Sequence, residues 1–450
     1  MIANQFCNWF AEYKTELIMM NIPDSKHPRV VIIGGGFAGV SLVKSLKNKN
    51  FQVVLIDKHN YHNFQPLMYQ VATGGLEAGS IAYPMRKVIK EHTETFFRMA
   101  LVEKIDTENK KVITDIGTIY YDYVVVATGS TNNYFGNKEI EKNSMVMKTI
   151  PEALNIRSLV LENFELALQT NDMEKRKALM NFVIVGAGPT GVELAGALAE
   201  MKKAVLPKDY PDLDISMMEI NLVQGADRVL DAMSKKSSKA AEKFLKQLGV
   251  KVHLKEIVTN YDGQTISTKD GLSMESEAVI WSAGVKGAPV DGIADAVDRA
   301  TRIRVNDYNQ VEGFEDVFAL GDVAAMYGEK YKFGHPMMAQ PAIQQGALLA
   351  ENLQRLEKKQ SLKKFVYNDK GSMATIGRNK AVVDLPKLHF NGVFAWFVWM
   401  FVHLFSLIGF KNRALVFWSW VYNYFVFDRE SRVIIRPFRK NRDVKPNNEN

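Results

Sequence analysis

The sequence predicts an α/β fold, with one parallel-sheet unit inserted into another and a C-terminal helical region after both. Three observations predict it. Two glycine-rich turns stand about 150 residues apart, each between a β-branched apolar run and an apolar-periodic helix. Strand-like segments of the first unit resume after the second. Beyond about residue 360 the composition becomes aromatic and apolar.

The first unit opens with Arg29-Val-Val-Ile-Ile33, which leads into Gly34-Gly35-Gly36-Phe37-Ala38-Gly39. In that context a G-x-G-x-x-G turn lets the backbone approach a pyrophosphate at a helix N-terminus. The next strand, Phe51 to Asp57, ends in an acid roughly twenty residues on, where a carboxylate would accept from an adenosine ribose. Asp at a strand end is also ordinary turn chemistry. Tyr123-Val-Val-Val-Ala-Thr-Gly129-Ser130 then reads as a buried parallel strand ending in a tight turn.

The second turn, Gly186-Ala187-Gly188-Pro189-Thr190-Gly191, follows Phe182-Val-Ile-Val185. One such fingerprint is weak evidence; two in matching contexts predict two Rossmann-like domains and two dinucleotides. The inserted unit closes at Ala278-Val-Ile-Trp-Ser-Ala-Gly284, and Asp316-Val-Phe-Ala-Leu-Gly-Asp322 returns to the first. The expected boundaries are an N-terminal extension at 1–27, a split first domain at 28–149 and 302–365, the inserted domain at 150–301, and the C-terminal region at 366–450. Met19 or Met20 would serve as an alternative start.

Composition narrows the function. The chain has 450 residues, 47% hydrophobic and 24% charged, as expected of a large folded enzyme, and its net charge of +7 is modest. Lys and Arg do not gather around any nucleic-acid motif, and no nucleic-acid partner is expected. They thicken instead at the C-terminus, at Arg429, Arg432, Arg436, Arg439, Lys440, Arg442 and Lys445. Such a tail is often merely solvated, but beside an apolar segment it suits anionic headgroups. The single cysteine, Cys7, rules out an intrachain disulfide, a four-cysteine metal site and a dithiol redox centre. His59 and His62 are close but lack partners at metal-ligand spacing, so no metal is expected.

At this level of detail the residues resemble the type II NADH dehydrogenases, two-dinucleotide-domain flavoproteins. The resemblance rests on both fingerprints, Ala127-Thr-Gly-Ser130, Leu320-Gly-Asp322, Ala339-Gln-Pro-Ala-Ile-Gln-Gln-Gly346 and Asn63-Phe-Gln-Pro-Leu-Met-Tyr-Gln-Val-Ala-Thr-Gly74. It implies non-covalent FAD in the first domain, held by Gly34, Gly36, Phe37, Ala38, Gly39, Asp57, Lys58, Thr128, Gly129, Asp322, Ala339 and Gln340. Asp322 would lie near the ribityl chain. NADH would enter the second domain at Gly186, Gly188, Pro189, Thr190, Gly191, Glu193, Gln224 and Gly284. Hydride would pass to the flavin, and two electrons on to a membrane quinone, ubiquinone or menaquinone, in a respiratory enzyme that pumps no protons.

Three side chains are expected near that chemistry. Gln340 would cap a helix beginning at Pro341, aiming free amides at the anionic flavin. Gln344 shares its face at i, i+4, and both would line a quinone path, a solvent-facing helix turn being the plain alternative. Glu193, read as lying in the first turn of a helix, either stabilises that turn or acts near the nicotinamide, positioning NADH or moving a proton. Gln224 departs from a common pattern of the family, because NADH-preferring members usually carry an acid there. A neutral amide keeps the ribose contact but loses repulsion of a 2′-phosphate, so NADPH is expected to be accepted as well. The missing cysteines set apart the disulfide reductases and sulfide:quinone oxidoreductases of this fold.

From Val393 to Phe410 only His403 and Ser406 are polar, seven aromatics occur, and Lys411-Asn412-Arg413 follows as a basic turn before a second apolar stretch, Ala414 to Phe427. Eighteen helical residues span about 27 Å, short of a hydrocarbon core of about 30 Å. The expected arrangement is monotopic: both helices lie at a bilayer surface, on the cytoplasmic face of the bacterial inner membrane. A hairpin buried against the body or in a homodimer interface is the alternative. A soluble reductase of an iron–sulfur protein would not need this region, and a flavoprotein of apoptosis-inducing-factor type would not need rapid quinone turnover.

Overall fold

The structure, a computed structural model, describes residues 18–90, 92–293, 296–426 and 431–434. They form two compact units. The chain starts in the first with strand β1 (Arg29–Ile33), helix α1 (Phe37–Ser45) and β2 (Gln52–Asp57), then enters the second with α2 (Met68–Ala72). It returns for β3 (Thr95–Met99) and β4 (Tyr123–Val126). The second unit then takes α3 (Ile150–Gln169), β5 (Asn181–Val185), α4 (Pro189–Ala204), β6 (Glu219–Gln224), β7 (Lys251–Leu254) and β8 (Ala278–Trp281). β9 (Val317–Ala319) and α5 (Ala339–Glu357) complete the first unit. β10 (Ser372–Gly377), β11 (Lys380–Leu385), β12 (Leu388–Asn391), α6 (Val393–Ser406) and α7 (Phe410–Val426) complete the second.

In the first unit the strand order is β9-β4-β1-β2-β3, parallel throughout. β1 is central, with Ile33 in register with both Ile56 and Val126. Strands covered on both faces must be apolar on both, which is why β1, β2 and β4 read as continuous Val and Ile runs rather than alternating ones. Met20, buried with this core, donates its amide to Thr118 O at 2.7 Å, so the residues from Ile18 onward belong to the unit.

The second unit repeats the plan in the order β7-β6-β5-β8, again parallel. This sheet lies wholly between β4 and β9 in sequence, which makes it the expected insertion. Helix α3 starts with a capping box: Thr149 N donates to Glu152 Oε2 at 2.8 Å, and Thr149 Oγ1 accepts from Glu152 N. An antiparallel sheet, β10-β11-β12, precedes the two C-terminal helices.

Two expectations need correcting here. The apolar run is not one helix of eighteen residues: α6 ends at Ser406, Leu407 turns extended (ψ 139°), and Gly409 takes φ 88°, a conformation most side chains resist, before α7 begins. No helix among the described residues is long and apolar enough to cross a membrane. Nor is Lys411-Asn412-Arg413 a free basic turn, because it forms the start of α7. Lys411 is exposed. The amide of Asn412 donates to Ala82 O at 2.9 Å, and Arg413 caps the end of α6 through Leu407 O and Phe405 O. Arg432 pairs with Asp209 at 3.1 Å, whereas Cys7, Arg429, Arg436, Arg439, Lys440, Arg442 and Lys445 fall outside the described residues.

Candidate active site

Both fingerprints are built the same way. Gly34 (φ 108°) and Gly186 (φ 99°) reverse the chain after the strand, and a Cβ on either would strike backbone, Ala127 O at 2.3 Å or Ala283 at 2.7 Å. Gly39 and Gly191 bring the helix onto its own turn, with a Cβ 1.9 Å from Gly34 O or Gly186 O. The N-caps, Gly36 and Gly188, make no side-chain cap and meet nothing within 4 Å at the Cβ position. The first amides of α1 and α4 therefore keep their donor capacity for an anion. This geometry fits a dinucleotide pyrophosphate in each unit. Pro189 opens α4, Thr190 beside it is exposed, and Phe37 and Ala38 open α1.

The acids at the strand ends differ. Asp57 Oδ2 accepts from Gly35 N at 2.6 Å and Oδ1 from His59 N at 2.7 Å, while Lys58 between them is exposed. In the second unit Gln224 Oε1 accepts from Ala187 N at 2.9 Å, which leaves its Nε2 as a donor. Gly284 (φ 86°) lies against Phe135, and Asn133 N donates to its carbonyl. His62, which the sequence offered only as a neighbour of His59 without metal-ligand partners, is buried beneath the first turn. Its Nδ1 lies 3.0 Å from Gly35 O, its ring meets Phe37 edge-on at 5.1 Å, and burial pushes its pKa down.

The returning acid is held in place. Ser130 Oγ donates to Asp322 Oδ2 at 2.7 Å, Thr128 Oγ1 donates to Ala288 O, and Gly129 takes φ 75°. Helix α5 begins earlier than expected. Met338 is its N-cap without a side-chain bond, Ala339 and Gln340 fill the first two positions, and Pro341 is third, so Gln340 is not the cap. Pro at that position sacrifices nothing, because the first four N–H groups have no intrahelical acceptor. Gln344 is not open to solvent alone: its Nε2 donates to Asn368 O and its Oε1 accepts from Asn368 N. Gln345, which the sequence did not single out, is buried and accepts from Gly321 N at 2.7 Å, so it ties α5 to the Leu-Gly-Asp turn.

Glu193 is the fifth residue of α4 and lies in its second turn, not its first. It is only 8% exposed. Thr375 N approaches its Oε1 at 3.4 Å. Burial pushes the carboxyl up to about 8, against small downward pulls from Thr375 N and the nearby Trp399 indole. A buried acid without a cationic partner keeps its proton. It lines a cavity of about 130 Å³ with two unlike walls. One wall is polar, with Glu193 and Glu200 of α4, Thr375, and Arg378 after β10. The other is aromatic, with Trp396 and Trp399 of α6 and Trp420 and Tyr424 of α7.

The aromatic wall is fixed by specific contacts. Trp399, 1% exposed, stacks on His403 at 4.1 Å and packs against Trp420 at 5.8 Å. His403 Nδ1 lies 2.7 Å from Trp399 O, and desolvation pushes this histidine down to about 4, so it is neutral. Trp420 Nε1 donates to Gln70 Oε1, and Gln70 Nε2 to Tyr69 Oη. Arg378 lies over the Tyr424 ring at 3.9 Å. Trp396, Met400, Trp420 and Tyr424 also line a wholly apolar groove of about 680 Å³ between α6 and α7. Glu200 was not singled out in the sequence, although its i+7 spacing from Glu193 on one helix was there to be read. Trp399 could not be, because only folding brings its helix to α4.

Comparison with known proteins agrees with this construction. The pyridine nucleotide-disulphide oxidoreductase family profile matches residues 28–346, and the NDH2 C-terminal domain matches 370–430. A type II NADH:quinone oxidoreductase of Mycobacterium tuberculosis is 36% identical over 414 residues, 88% of each chain. One from Haemophilus influenzae is 29% identical over 411 residues, 82% of this chain and 91% of that one. Among solved structures, NDH2 from Plasmodium falciparum in complex with NADH superposes with a TM-score of 0.83 at 20% identity, over 91% of this chain and all of that one. The sulfide:quinone oxidoreductase of Aquifex aeolicus shares the fold at a TM-score of 0.67 and 19% identity, over 89% and 95%. With both dinucleotide folds and the C-terminal domain accounted for, the chain belongs to the type II NADH:quinone oxidoreductase family.

Proposed function

We propose that this protein oxidises NADH and reduces a membrane quinone, without pumping protons, at the cytoplasmic surface of a bacterial inner membrane. Overall, NADH, one proton from solution and quinone give NAD⁺ and quinol. FAD in the first unit supplies hydride acceptance from NADH and two-electron delivery to the quinone.

The chain's own residues have separable tasks. Gly34, Gly36 and Gly39 admit the FAD pyrophosphate to the N-terminus of α1, and Asp57 holds the adenosine ribose. Asp322, oriented by Ser130, takes the ribityl hydroxyls, and the first amides of α5, beside Ala339 and Gln340, favour negative charge on the flavin ring. Gln344 positions the segment at Asn368 against α5. In the second unit Gly186, Gly188 and Gly191 admit NADH, and Gln224 donates to its ribose. Glu193, protonated near neutrality, is the proton donor for the acceptor.

The observation that carries this reading is the two-walled cavity, with a protonated acid facing a row of tryptophans. A quinone ring suits the aromatic wall, and its isoprenoid tail suits the apolar groove that continues from it. Phe394, Phe397, Phe401 and Phe405 face outward on one side of α6, and Phe410, Trp418 and Phe425 are exposed on α7, as interfacial helices require. The iron–sulfur-protein reductase and apoptosis-inducing-factor readings give this region no task, and they are set aside. Anaerobic stopped-flow tests the proposal. FAD-loaded protein reduced by NADH is mixed with ubiquinone or menaquinone analogues, and flavin reoxidation within a turnover time is expected. A reduced flavin that no quinone reoxidises would overturn it.

A further inference from the structure

Glu193, Ala197, Glu200 and Ala204 stand at i, i+4, i+7 and i+11 along α4, and all four line the same cavity. The helix thus presents a stripe on which two carboxyl groups are separated only by small residues. Reduction of quinone by NADH consumes one proton from solution in each turnover. Glu193, at 8% exposure, cannot collect that proton directly from bulk water, whereas Glu200 is only half-buried.

We propose that this stripe is the proton inlet of the acceptor site: Glu200 collects a proton at the outer end, cavity water passes it along Ala197, and Glu193 delivers it to the acceptor oxygen. The proposal rests on the quinone-reducing reading above. Dimensions favour it. Seven residues of helix separate the two groups by about 10.5 Å along the axis, a gap that about three waters in line would bridge at about 2.8 Å each. The cavity, about 130 Å³, has room for them, since one water needs about 10–15 Å³ of such space. The opposite wall is indole and phenol and offers no comparable relay. The other ionisable groups facing the cavity are Tyr69, Arg378 and Tyr424. Tyr69 Oη already accepts from Gln70, and Arg378 lies over Tyr424 while its main-chain N–H donates to Glu200 Oε1.

That last bond is the simpler explanation of Glu200: it holds the turn between β10 and β11. Glu200→Gln separates the two roles, because an amide oxygen still accepts from Arg378 N but the side chain no longer carries a proton. The experiment uses FAD-loaded full-length protein and follows two half-reactions by flavin absorbance, reduction by NADH and reoxidation by a short-chain ubiquinone, from pH 6 to 9. The expected result for Glu200→Gln is wild-type reduction with reoxidation slowed about 10- to 100-fold, worst at high pH, and an enlarged solvent deuterium effect. Glu200→Asp retains a titratable oxygen at shorter reach and should recover most of the rate. Wild-type reoxidation in Glu200→Gln at every pH overturns the inlet, and so does an equal loss in both half-reactions. If Glu200→Gln does not fold, Glu200→Asp carries the test: reoxidation slowed about two- to threefold, with reduction unchanged, supports the inlet, and no slowing at any pH overturns it. If quinone fails to reoxidise even the wild type, the quinone-reducing reading itself is wrong, an outcome that leaves a different signature from the failure of the inlet.

Discussion

Gln224 Oε1 accepts from Ala187 N at 2.9 Å, in the place that Asp57 occupies beneath Gly35 in the first fingerprint at 2.6 Å. The two sites therefore share a hydrogen bond and differ by one unit of charge. That difference falls where the adenosine ribose of a dinucleotide lies.

NADPH should accordingly be used. The ratio of kcat/KM for NADH over NADPH is expected below about 1000, or ~4 kcal/mol at 1.4 per decade. Gln224→Glu should widen it about 10- to 100-fold by setting a carboxylate against the 2′-phosphate. Steady-state kinetics with both nucleotides checks this, and a wild-type ratio well above 1000 contradicts it.

Glu193 gives stability a definite pH dependence. Its folded pKa, about 8, lies above the unfolded value of about 4.3, so the folded state binds more protons across that window and stability falls as pH rises through it. The slope is about 1.4 kcal/mol per pH unit for one such group. Thermal melts between pH 6 and 8 should show wild type losing Tm relative to Glu193→Gln, and parallel curves would contradict the assignment. Flavin reoxidation by quinone should fall off above about pH 8 for the same reason.

Trp399→Ala removes a fully buried indole and should cost about 3–5 kcal/mol in denaturant melts, with Trp399→Phe costing less. Water admitted beside Glu193 should also lower its pKa, moving the alkaline limb of quinone reduction toward lower pH. A large stability loss with an unmoved limb would mean that the indole does not shield the acid.

Phe397 and Phe401 are exposed on one face of α6. Replacing both with Glu should weaken flotation with anionic liposomes about 100-fold or more, since burying each phenyl is worth about 1.5–3 kcal/mol. NADH-driven flavin reduction should be unaffected. Undiminished flotation would place the membrane-facing surface elsewhere.

Much of this was legible in local patterns. The parallel sheets announced themselves as uninterrupted Val and Ile runs, and the glycines at 34, 39, 186 and 191 were required by turns too tight for a Cβ. The start of α5 was misjudged because proline is tolerated anywhere in a first turn, so its position does not mark the first residue. The length of the first C-terminal helix was misjudged because Gly409 adds nothing polar to an apolar run, yet its positive φ helps to end it before Phe410. The attachment of Gln344 to Asn368 and the indole beside Glu193 could not be read at all. Both join segments whose proximity exists only after the chain has folded.

The wall that shelters Glu193 is made by the same pair of helices that presents the exposed phenylalanines. Trp399 points inward and Phe401, two residues on, outward. An enzyme shortened at Asn391 to make it easier to purify would therefore not be the same catalyst made soluble. It would expose Glu193 to bulk water and turn a buried, protonated acid into an ordinary carboxylate. The surface that would meet a bilayer and the acid that would deliver the proton are parts of one piece.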